Sequence, residues 1–190
     1  MEKKIAIFAS GSGTNAENII LHFRKSGAAV VALVVTNHRS AFVAQRAARL
    51  GVPCHYLPRA AWEDGTEVLR LLRDQGIDFI VLAGFLALVP PALVKAYPGR
   101  IVNIHPALLP RHGGKGMYGD HVHRAVIADG DTESGITIHL IDEHYDRGQT
   151  VFQATCPVLP GDTPDELAHR VHALEYEHFP RVIEELVRAL

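Results

Sequence analysis

The stretch from Lys4 to Ala16, KIAIFASGSGTNA, decides the fold. Lys4 is followed by five apolar residues, then by a glycine-rich segment, and then by apolar residues at helical spacing (Ala16, Ile19, Ile20 and Phe23). This order predicts a buried strand, a tight turn and a helix. Units of this kind build parallel sheets that carry helices on both faces.

The same alternation continues over the first two-thirds of the chain. Apolar runs predict four further strands, at 29–36, 53–57, 78–83 and 100–104. Helical spacing predicts three helices that alternate with them, at 42–50, 60–75 and 91–97. Because strands that are apolar throughout are typical of sheets covered on both sides, we expect these strands to be parallel.

The pattern changes after His105. Glycine and proline predict a long loop at 108–119, and the segments that follow predict a helix at 120–129 and an antiparallel strand pair at 135–141 and 150–158. A capping box at Thr163–Glu166 opens a last, long helix, in which Pro180 predicts a kink or a break. We therefore expect an α/β fold in a single domain over residues 1–190: a doubly wound, mostly parallel, Rossmann-like sheet with a C-terminal antiparallel pair.

Composition narrows the class of protein. A net charge of -2 gives no electrostatic reason to bind nucleic acid or an acidic membrane. The apolar run that ends at Ala9 is too short to span a bilayer and lacks a signal-peptide cleavage pattern. Cys54 and Cys156 have no CxxC partners, which favours a reducing compartment. We expect a cytoplasmic protein without nucleic-acid or membrane partners, either a monomer or a homodimer.

The glycine-rich segment Gly11–Ala16 allows three interpretations. Glycines at the start of a helix let the backbone approach an anion, so a single phosphate is the preferred ligand. The spacing also fits G-x-G-x-x-A, a dinucleotide fingerprint, although the second strand runs into Asn37–Ser40, which offers no carboxylate for a ribose. An NADP site could use Arg39 instead. A tight turn without a ligand is the third interpretation.

Asn103 and His105 lie at the end of the fifth predicted strand, where alternation puts both side chains on one face. A carboxamide beside an imidazole can stabilise an oxyanion and move a proton, the two needs of acyl transfer. A structural histidine is the competing interpretation. The loop Asp142–Gly148, DEHYDRG, is by itself typical of a solvated turn. The chain has twelve histidines but no HExxH motif, so we expect no metal.

Three of these segments follow predicted parallel strands: Gly11–Asn15, Gly84–Val89 and Asn103–His105. In open parallel sheets, ligands bind at the carboxyl ends of the strands. The convergence of the three segments at that edge predicts an active site more strongly than any one of them does.

At these residues the chain closely resembles the folate-dependent formyltransferases of purine synthesis. The matching stretches run through the whole chain in the family's order: FASGSGTN, VLAGFLALV, IVNIHPALLP, SGITIH, DEHYDRG and RVHALEYEHFP. The resemblance implies transfer of a formyl group from 10-formyltetrahydrofolate, as cosubstrate, to the amino group of glycinamide ribonucleotide, without a metal.

The resemblance also assigns residues to roles. It implies a catalytic trio of Asn103, His105 and Asp146, in which Asn103 and a protonated His105 stabilise the oxyanion and Asp146 raises the pKa of His105. The substrate phosphate and its ribose or amine end would be held by Gly13, Thr14, Asn15, His172 and Glu175. The folate would be held by Leu86, Ala87, Leu88, Val89, Asp142, Glu143, His144, Tyr145 and Arg59.

The chain departs from the family pattern at three places. Ala107 replaces a serine, the segment His112–Gly119 is longer and richer in glycine, and Gly65 stands where some relatives carry an arginine, for which Arg59 is a nearby substitute. The alternatives are a formyltransferase acting on methionyl-tRNA or an amino sugar, a hydrolase of the same folate, an NADP-dependent oxidoreductase, and a catalytically silent nucleotide-binding protein.

Overall fold

The computed structural model describes residues 2–142, 146 and 148–190. The strands among these residues are β1 (Lys4–Phe8), β2 (Val30–Thr36), β3 (Cys54–Tyr56), β4 (Phe79–Leu82), β5 (Ile101–His105), β6 (Glu133–Leu140) and β7 (Thr150–Pro157). The helices are α1 (Thr14–Ser26), α2 (Val43–Arg49), α3 (Ala61–Asp64), α4 (Thr66–Asp74), α5 (Pro91–Ala96), α6 (Asp120–Ala128) and α7 (Pro164–Arg188).

The described strands form one sheet in the order β3-β2-β1-β4-β5-β6-β7. The first five strands pair in parallel, whereas β6 pairs antiparallel with both β5 and β7. The predicted fold class, mostly parallel with a C-terminal antiparallel pair and a long last helix, is confirmed. The chain builds outward from β1 to β3 and then returns to place β4 on the other side of β1. A crevice therefore opens where β1 and β4 end.

Both faces of the central strands β1 and β4 are buried, which explains why these strands are apolar after Lys4. Along β1, Ile5 and Ile7 pack into the cluster that contains α1 and α7, while Ala6 and Phe8 point into the cluster that contains α4 and α5. All four side chains are fully buried. The sheet therefore gives rigid support to the loops at its carboxyl edge.

The predicted helix at 60–75 is wrong, because the structure has two helices there. Gly65 separates α3 from α4 and adopts the left-handed backbone conformation, with φ 77°. A Cβ at this position would lie 2.6 Å from Leu93 Cδ1. Apolar spacing carries across the junction, so periodicity alone does not reveal the break.

Of the kink or break predicted at Pro180, the break is wrong, since α7 continues through that residue. Proline cannot donate a hydrogen bond to the carbonyl four residues earlier, which is that of Tyr176. The Asn18 side-chain amide donates to this carbonyl at 2.9 Å, so the acceptor is satisfied from α1.

The predicted capping box is confirmed: Thr163 Oγ1 accepts from the Glu166 amide, and the Glu166 carboxylate accepts from the Thr163 amide.

No helix within the described ranges combines the length and the apolar character needed to cross a bilayer. The expectation of a single domain over residues 1–190 stays a prediction.

Gly13→Ala should destabilise the fold, whereas Gly11→Ala should not. Gly13 has φ 76°, and a Cβ there would lie 2.4 Å from Val43 Cγ2. The left-handed conformation alone costs a residue with a Cβ about 1–2 kcal/mol. A Cβ at Gly11 would have no heavy atom within 4 Å. Urea unfolding of both variants measures the difference, and equal unfolding free energies would contradict this account of the turn.

Candidate active site

A cavity of about 690 Å³ opens at the carboxyl ends of β1, β4 and β5. Its walls come from the three loops that the sequence placed at this edge, from the loop before α6, and from α7. The predicted residues that line it are Gly13, Thr14, Asn15, Leu86, Ala87, Leu88, Val89, Asn103, His105, Asp142, Asp146, His172 and Glu175. Glu143, His144 and Tyr145 lie outside the described residues.

Arg59 does not belong with this group. It is exposed in the turn before α3 and is absent from the described residues that line the cavity. The expectation that it substitutes for the arginine of other relatives rested on closeness in sequence.

Asp146 lies between two imidazoles. Its Oδ2 is 3.6 Å from His105 Nδ1, and its Oδ1 is 3.7 Å from His139 Nε2. His139 is paired directly opposite Asn103 in the β5–β6 ladder, and Asn103 Nδ2 lies 3.1 Å from His139 Nε2. The four polar side chains therefore form one connected cluster on one face of the sheet.

His139 is a member of the cluster that the sequence analysis did not single out. It lies within the stretch SGITIH, where it looks like one of several alternating strand residues. The predicted antiparallel strand could have indicated such a residue. A strand that pairs beside Asn103 must place one of its side chains opposite Asn103. The register that selects His139 becomes known only in the folded sheet.

Burial acts on the pKa values of His105 and Asp146 in opposite directions. It is the largest influence on His105 and holds the pKa of that imidazole below its usual value, although Asp146 and the His112 carbonyl act in the raising direction. Burial also acts to raise the pKa of Asp146, but the His139 hydrogen bond, the His105 ring and the Gly114 amide together leave it lowered. Asp146 is therefore the charged partner. It acts to raise the pKa of His105, as the resemblance implied, but burial outweighs this influence.

The other end of the cavity contains the helix start that was predicted to bind phosphate. Gly13 is the N-cap of α1, and its backbone lets the free amide groups of the first turn face the cavity. The Asn15 side-chain amide donates to Glu175 Oε2 at 2.9 Å. This contact connects the glycine-rich loop to α7 across the cavity wall.

Glu175 and His123 are buried at this end, with 7% and 2% of their surfaces exposed. Burial raises the pKa of Glu175 against the smaller influences of Asn15 and His172. Burial lowers the pKa of His123, where His172 and His105 act in the same direction and Asp120 opposes them. The His123 ring lies 6.4 Å from that of His172, and neither His123 Nδ1 nor Asn15 Oδ1 has a hydrogen-bond partner among the described residues. Buried polar atoms without partners are rare and indicate a place for a polar ligand.

His123 is one of the twelve histidines, for which the sequence predicted no metal site. Within the part of the chain that the structure describes, no group of three or more histidine, cysteine or carboxylate side chains is arranged to hold a metal ion. The position of His123 on α6, facing His172 on α7, depends on how the two helices pack.

The segment Leu86–Val89 forms the apolar wall of the cavity. Ser10 Oγ accepts from the Leu86 amide at 2.9 Å and donates to Asn37 Oδ1 at 2.6 Å, which fixes this segment to the ends of β1 and β2. The Leu86 side chain is 49% exposed although the residue lines a cavity. An exposed apolar side chain on a fixed loop suits a flat aromatic ligand.

The same contacts weigh against a dinucleotide. The Arg39 guanidinium lies 5.0 Å from the centre of the Tyr56 ring, stacked on β3, and is not among the cavity-lining residues that the structure describes. Asn37, at the position of the usual ribose-binding carboxylate, is hydrogen-bonded to Ser10. The two features that an NADP site would need are thus engaged elsewhere.

Comparisons with known proteins show the family of this chain. The sequence model described as formyl transferase matches residues 3–183. The chain belongs to the formyl transferase family. It is 44% identical over 189 residues to a chloroplastic phosphoribosylglycinamide formyltransferase of Arabidopsis thaliana, covering 95% of this chain and 64% of that protein. It is 34% identical over 184 residues to the phosphoribosylglycinamide formyltransferase of Escherichia coli (strain K12), covering 94% and 84% of the two chains.

Solved structures of this formyl transferase family share the fold. The phosphoribosylglycinamide formyltransferase of Bacillus halodurans superposes with a TM-score of 0.88 at 38% identity, covering 97% of this chain and 95% of that chain. This chain spans 64% and 61% of the lengths of the Arabidopsis thaliana and Vigna unguiculata relatives. The family and the fold are therefore shown.

Titration of His105 by NMR should give a pKa below that of an exposed histidine, since burial opposes the charged ring. Asp146→Asn keeps the shape of the side chain but removes the charge that favours the imidazolium, so the pKa of His105 should fall further. Long-range ¹H–¹⁵N spectra, assigned with His105→Gln, measure both values. An unchanged pKa in Asp146→Asn would contradict the coupling of the two groups.

Proposed function

We propose that this protein transfers the formyl group of 10-formyltetrahydrofolate to the amino group of glycinamide ribonucleotide, a step of de novo purine biosynthesis. The observation that supports this most directly is the cluster of Asn103, His105 and Asp146, which lies in one cavity between a helix start and an apolar loop. Membership of the formyl transferase family supports the chemistry. The names of the relatives at 34% and 44% identity support the acceptor.

The phosphate of the acceptor would lie at the start of α1. The backbone amides of Gly13, Thr14 and Asn15 supply donors there, and the helix dipole favours a negative charge. His172 is available to the same phosphate from α7. Glu175, fixed by Asn15, would bind the ribose or the amine end.

The pterin of the folate would lie against Leu86–Val89 and Asp142. The exposed apolar side chains offer contact area for the ring, while the backbone groups of the same segment offer hydrogen bonds to its edge. Glu143, His144 and Tyr145, which the family resemblance assigns to the same pocket, remain part of the proposal without a described position.

The chemistry would begin with a neutral His105, since burial disfavours its charged form. The amine nitrogen attacks the formyl carbon on N10, and the formyl oxygen becomes an oxyanion that the Asn103 amide stabilises by donating a hydrogen bond. His105 takes up the proton that the amine loses, and the resulting imidazolium is stabilised by the Asp146 carboxylate. Return of that proton to N10 lets the bond between N10 and the formyl carbon break, which leaves the formylated amine and tetrahydrofolate.

The proposal is tested by incubating the purified protein with 10-formyltetrahydrofolate and glycinamide ribonucleotide and following the loss of formylfolate. Asn103→Ala and His105→Ala should each lower turnover about a hundred- to a thousandfold, the usual cost of an oxyanion donor or of general acid–base catalysis. His169→Ala, which alters an exposed histidine on α7, is the matched control and should keep wild-type turnover. Near-normal turnover in His105→Ala would overturn the assigned chemistry.

Glu175→Gln should raise the KM for the amine substrate and leave the KM for the folate nearly unchanged. The variant keeps a partner for Asn15 but loses the charge, and a hydrogen bond to a charged group contributes about 1.5–3 kcal/mol, so an increase of roughly ten- to a hundredfold is expected. Because burial raises the pKa of Glu175, the wild-type KM for the amine should also increase as acid protonates this carboxylate.

Glu177→Gln, two residues further along α7 and exposed, is the control for this experiment. Equal increases in both KM values of Glu175→Gln would mean that the Asn15–Glu175 contact shapes the whole cavity rather than the acceptor end alone.

A further inference from the structure

The loop before α6 contacts both members of the proposed catalytic pair through its backbone. His105 Nε2 donates to the His112 carbonyl at 2.7 Å, and the Gly114 amide donates to Asp146 Oδ2 at 2.9 Å. We call residues 112–114 the backbone clip. Since a carbonyl only accepts, the proton of the neutral His105 ring is on Nε2. The nitrogen that remains free to take up a proton is Nδ1, on the side of Asp146.

The clip is held from outside the cavity by the side chain of His112. His112 Nε2 lies 2.7 Å from Asp131 Oδ2, and Arg111 binds the other oxygen of that carboxylate. The His112 and Asp131 side chains are only 8% and 9% exposed. Asp131 follows α6 and is fixed to it by its own amide, which donates to the Val126 carbonyl. The clip is therefore attached to a helix of the core.

The backbone of the clip is strained and closely packed. His112 has φ 53°, in the left-handed region that residues with a Cβ rarely adopt. A Cβ on Gly113 would lie 2.4 Å from Leu109 Cδ2 and 3.5 Å from Asp146 Cβ. Strained residues of this kind persist when surrounding contacts hold them in place. The contact between His112 and Asp131 is such a contact, and it is not part of the cavity wall.

We propose that Asp131 is a positioning residue for the His105–Asp146 pair, acting through His112 and the backbone clip. By holding the His112 ring, Asp131 keeps the His112 carbonyl on His105 Nε2 and the Gly114 amide on Asp146. The clip thereby fixes the tautomer of His105 and supports the charge on Asp146. The activity measurements below rest on the proposed function, whereas the NMR measurement does not.

The groups that face His105 set the direction of the expected effect. Besides Asp146, these are the imidazoles of His139, His112 and His123. The His112 carbonyl raises the pKa of His105 and the Gly114 amide lowers the pKa of Asp146. Loss of the clip should move the two pKa values toward each other. The imidazolium that forms during the reaction would then be less stabilised.

Asp131→Ala should lower kcat by roughly ten- to a hundredfold, the usual cost of a misplaced reacting group, and move the acidic limb of the pH–rate profile to lower pH. The KM values for both substrates should change less than kcat. Asp131→Asn, whose carbonyl oxygen still accepts from His112 Nε2, should recover most of the turnover. Asp129→Ala is the matched control and should leave kcat unchanged. Asp129 Oδ2 also lies near the His112 ring, 3.8 Å from Nδ1, but the Asp129 side chain is 61% exposed.

The route through His112 is tested by a double-mutant cycle. If Asp131 acts through the His112 ring, His112→Ala should have the effect of Asp131→Ala, and the double variant should be no slower than either. Fully additive losses would overturn the proposal. Raised KM values with an unchanged kcat and pH profile would also overturn the proposal. They would show that the loop contributes only to the wall of the cavity.

Long-range ¹H–¹⁵N spectra of His105 provide a measurement that does not depend on activity, and thermal melting shows that each variant is folded. In the wild-type protein His105 should be the Nε2–H tautomer, and in Asp131→Ala it should become a mixture with a lower pKa. An unchanged tautomer and pKa in a folded Asp131→Ala variant would overturn the proposal even if turnover fell. A changed tautomer in a protein without formyl transfer would support the clip and overturn only the proposed function.

Discussion

A buried carboxylate has to be compensated by hydrogen bonds or by positive charge, because the low-dielectric interior strongly disfavours an isolated ion. Asp146 is this carboxylate, with 11% of its side chain exposed, and much of the site is arranged around it. His105 and His139 face its two oxygens, and the Gly114 amide donates to one of them. Asp146 itself has φ 54°, so its backbone is held in a rarely adopted conformation.

This compensation joins parts of the chain that are far apart in sequence. His105 ends the last parallel strand, and His139 lies on the antiparallel strand that pairs with it. Gly114 belongs to a loop that is anchored to the end of α6 through His112 and Asp131. A buried polar group that loses its hydrogen-bond partner typically costs about 1–3 kcal/mol, so these connections stabilise the site. The mixed sheet is therefore part of the candidate site, because the reversal after β5 places a side chain of β6, that of His139, opposite Asn103.

The two ends of the cavity differ in polarity, as two chemically different ligands would require. At the start of α1 the walls are polar and include buried atoms without hydrogen-bond partners among the described residues, namely Asn15 Oδ1 and His123 Nδ1. Around Leu86 and Leu88 the walls are apolar and held by Ser10. The proposed cluster lies between them, where a group could pass from one ligand to the other. Keeping His105 neutral suits this position, since a neutral imidazole is able to take up the proton that an attacking amine releases.

The left-handed residues of the site also show how function departs from local preference. His112 and Asp146 are the two non-glycine residues with positive φ among those described, and both contribute to the same group of contacts. Local sequence preference opposes these conformations, so the surrounding tertiary contacts must enforce them. The glycine-rich composition of 113–119 gives the adjoining backbone the freedom to reach them.

By itself, the sequence determined the mostly parallel sheet, the capped last helix and the three loops at one edge, because these follow from local apolar spacing, capping chemistry and the topology of alternating strands and helices. It also determined the family, through motifs spread over the chain. Only the tertiary structure decided that Gly65 divides a helix, that Asn18 donates to the Tyr176 carbonyl in front of Pro180, and that Arg59 is not among the described residues that line the cavity. The strand register selected His139, helix packing placed His123 beside His172, and burial outweighed Asp146 in setting the pKa of His105. Each of these outcomes depends on which distant atoms meet in space and how far water is excluded from them, and neither quantity is encoded in local spacing.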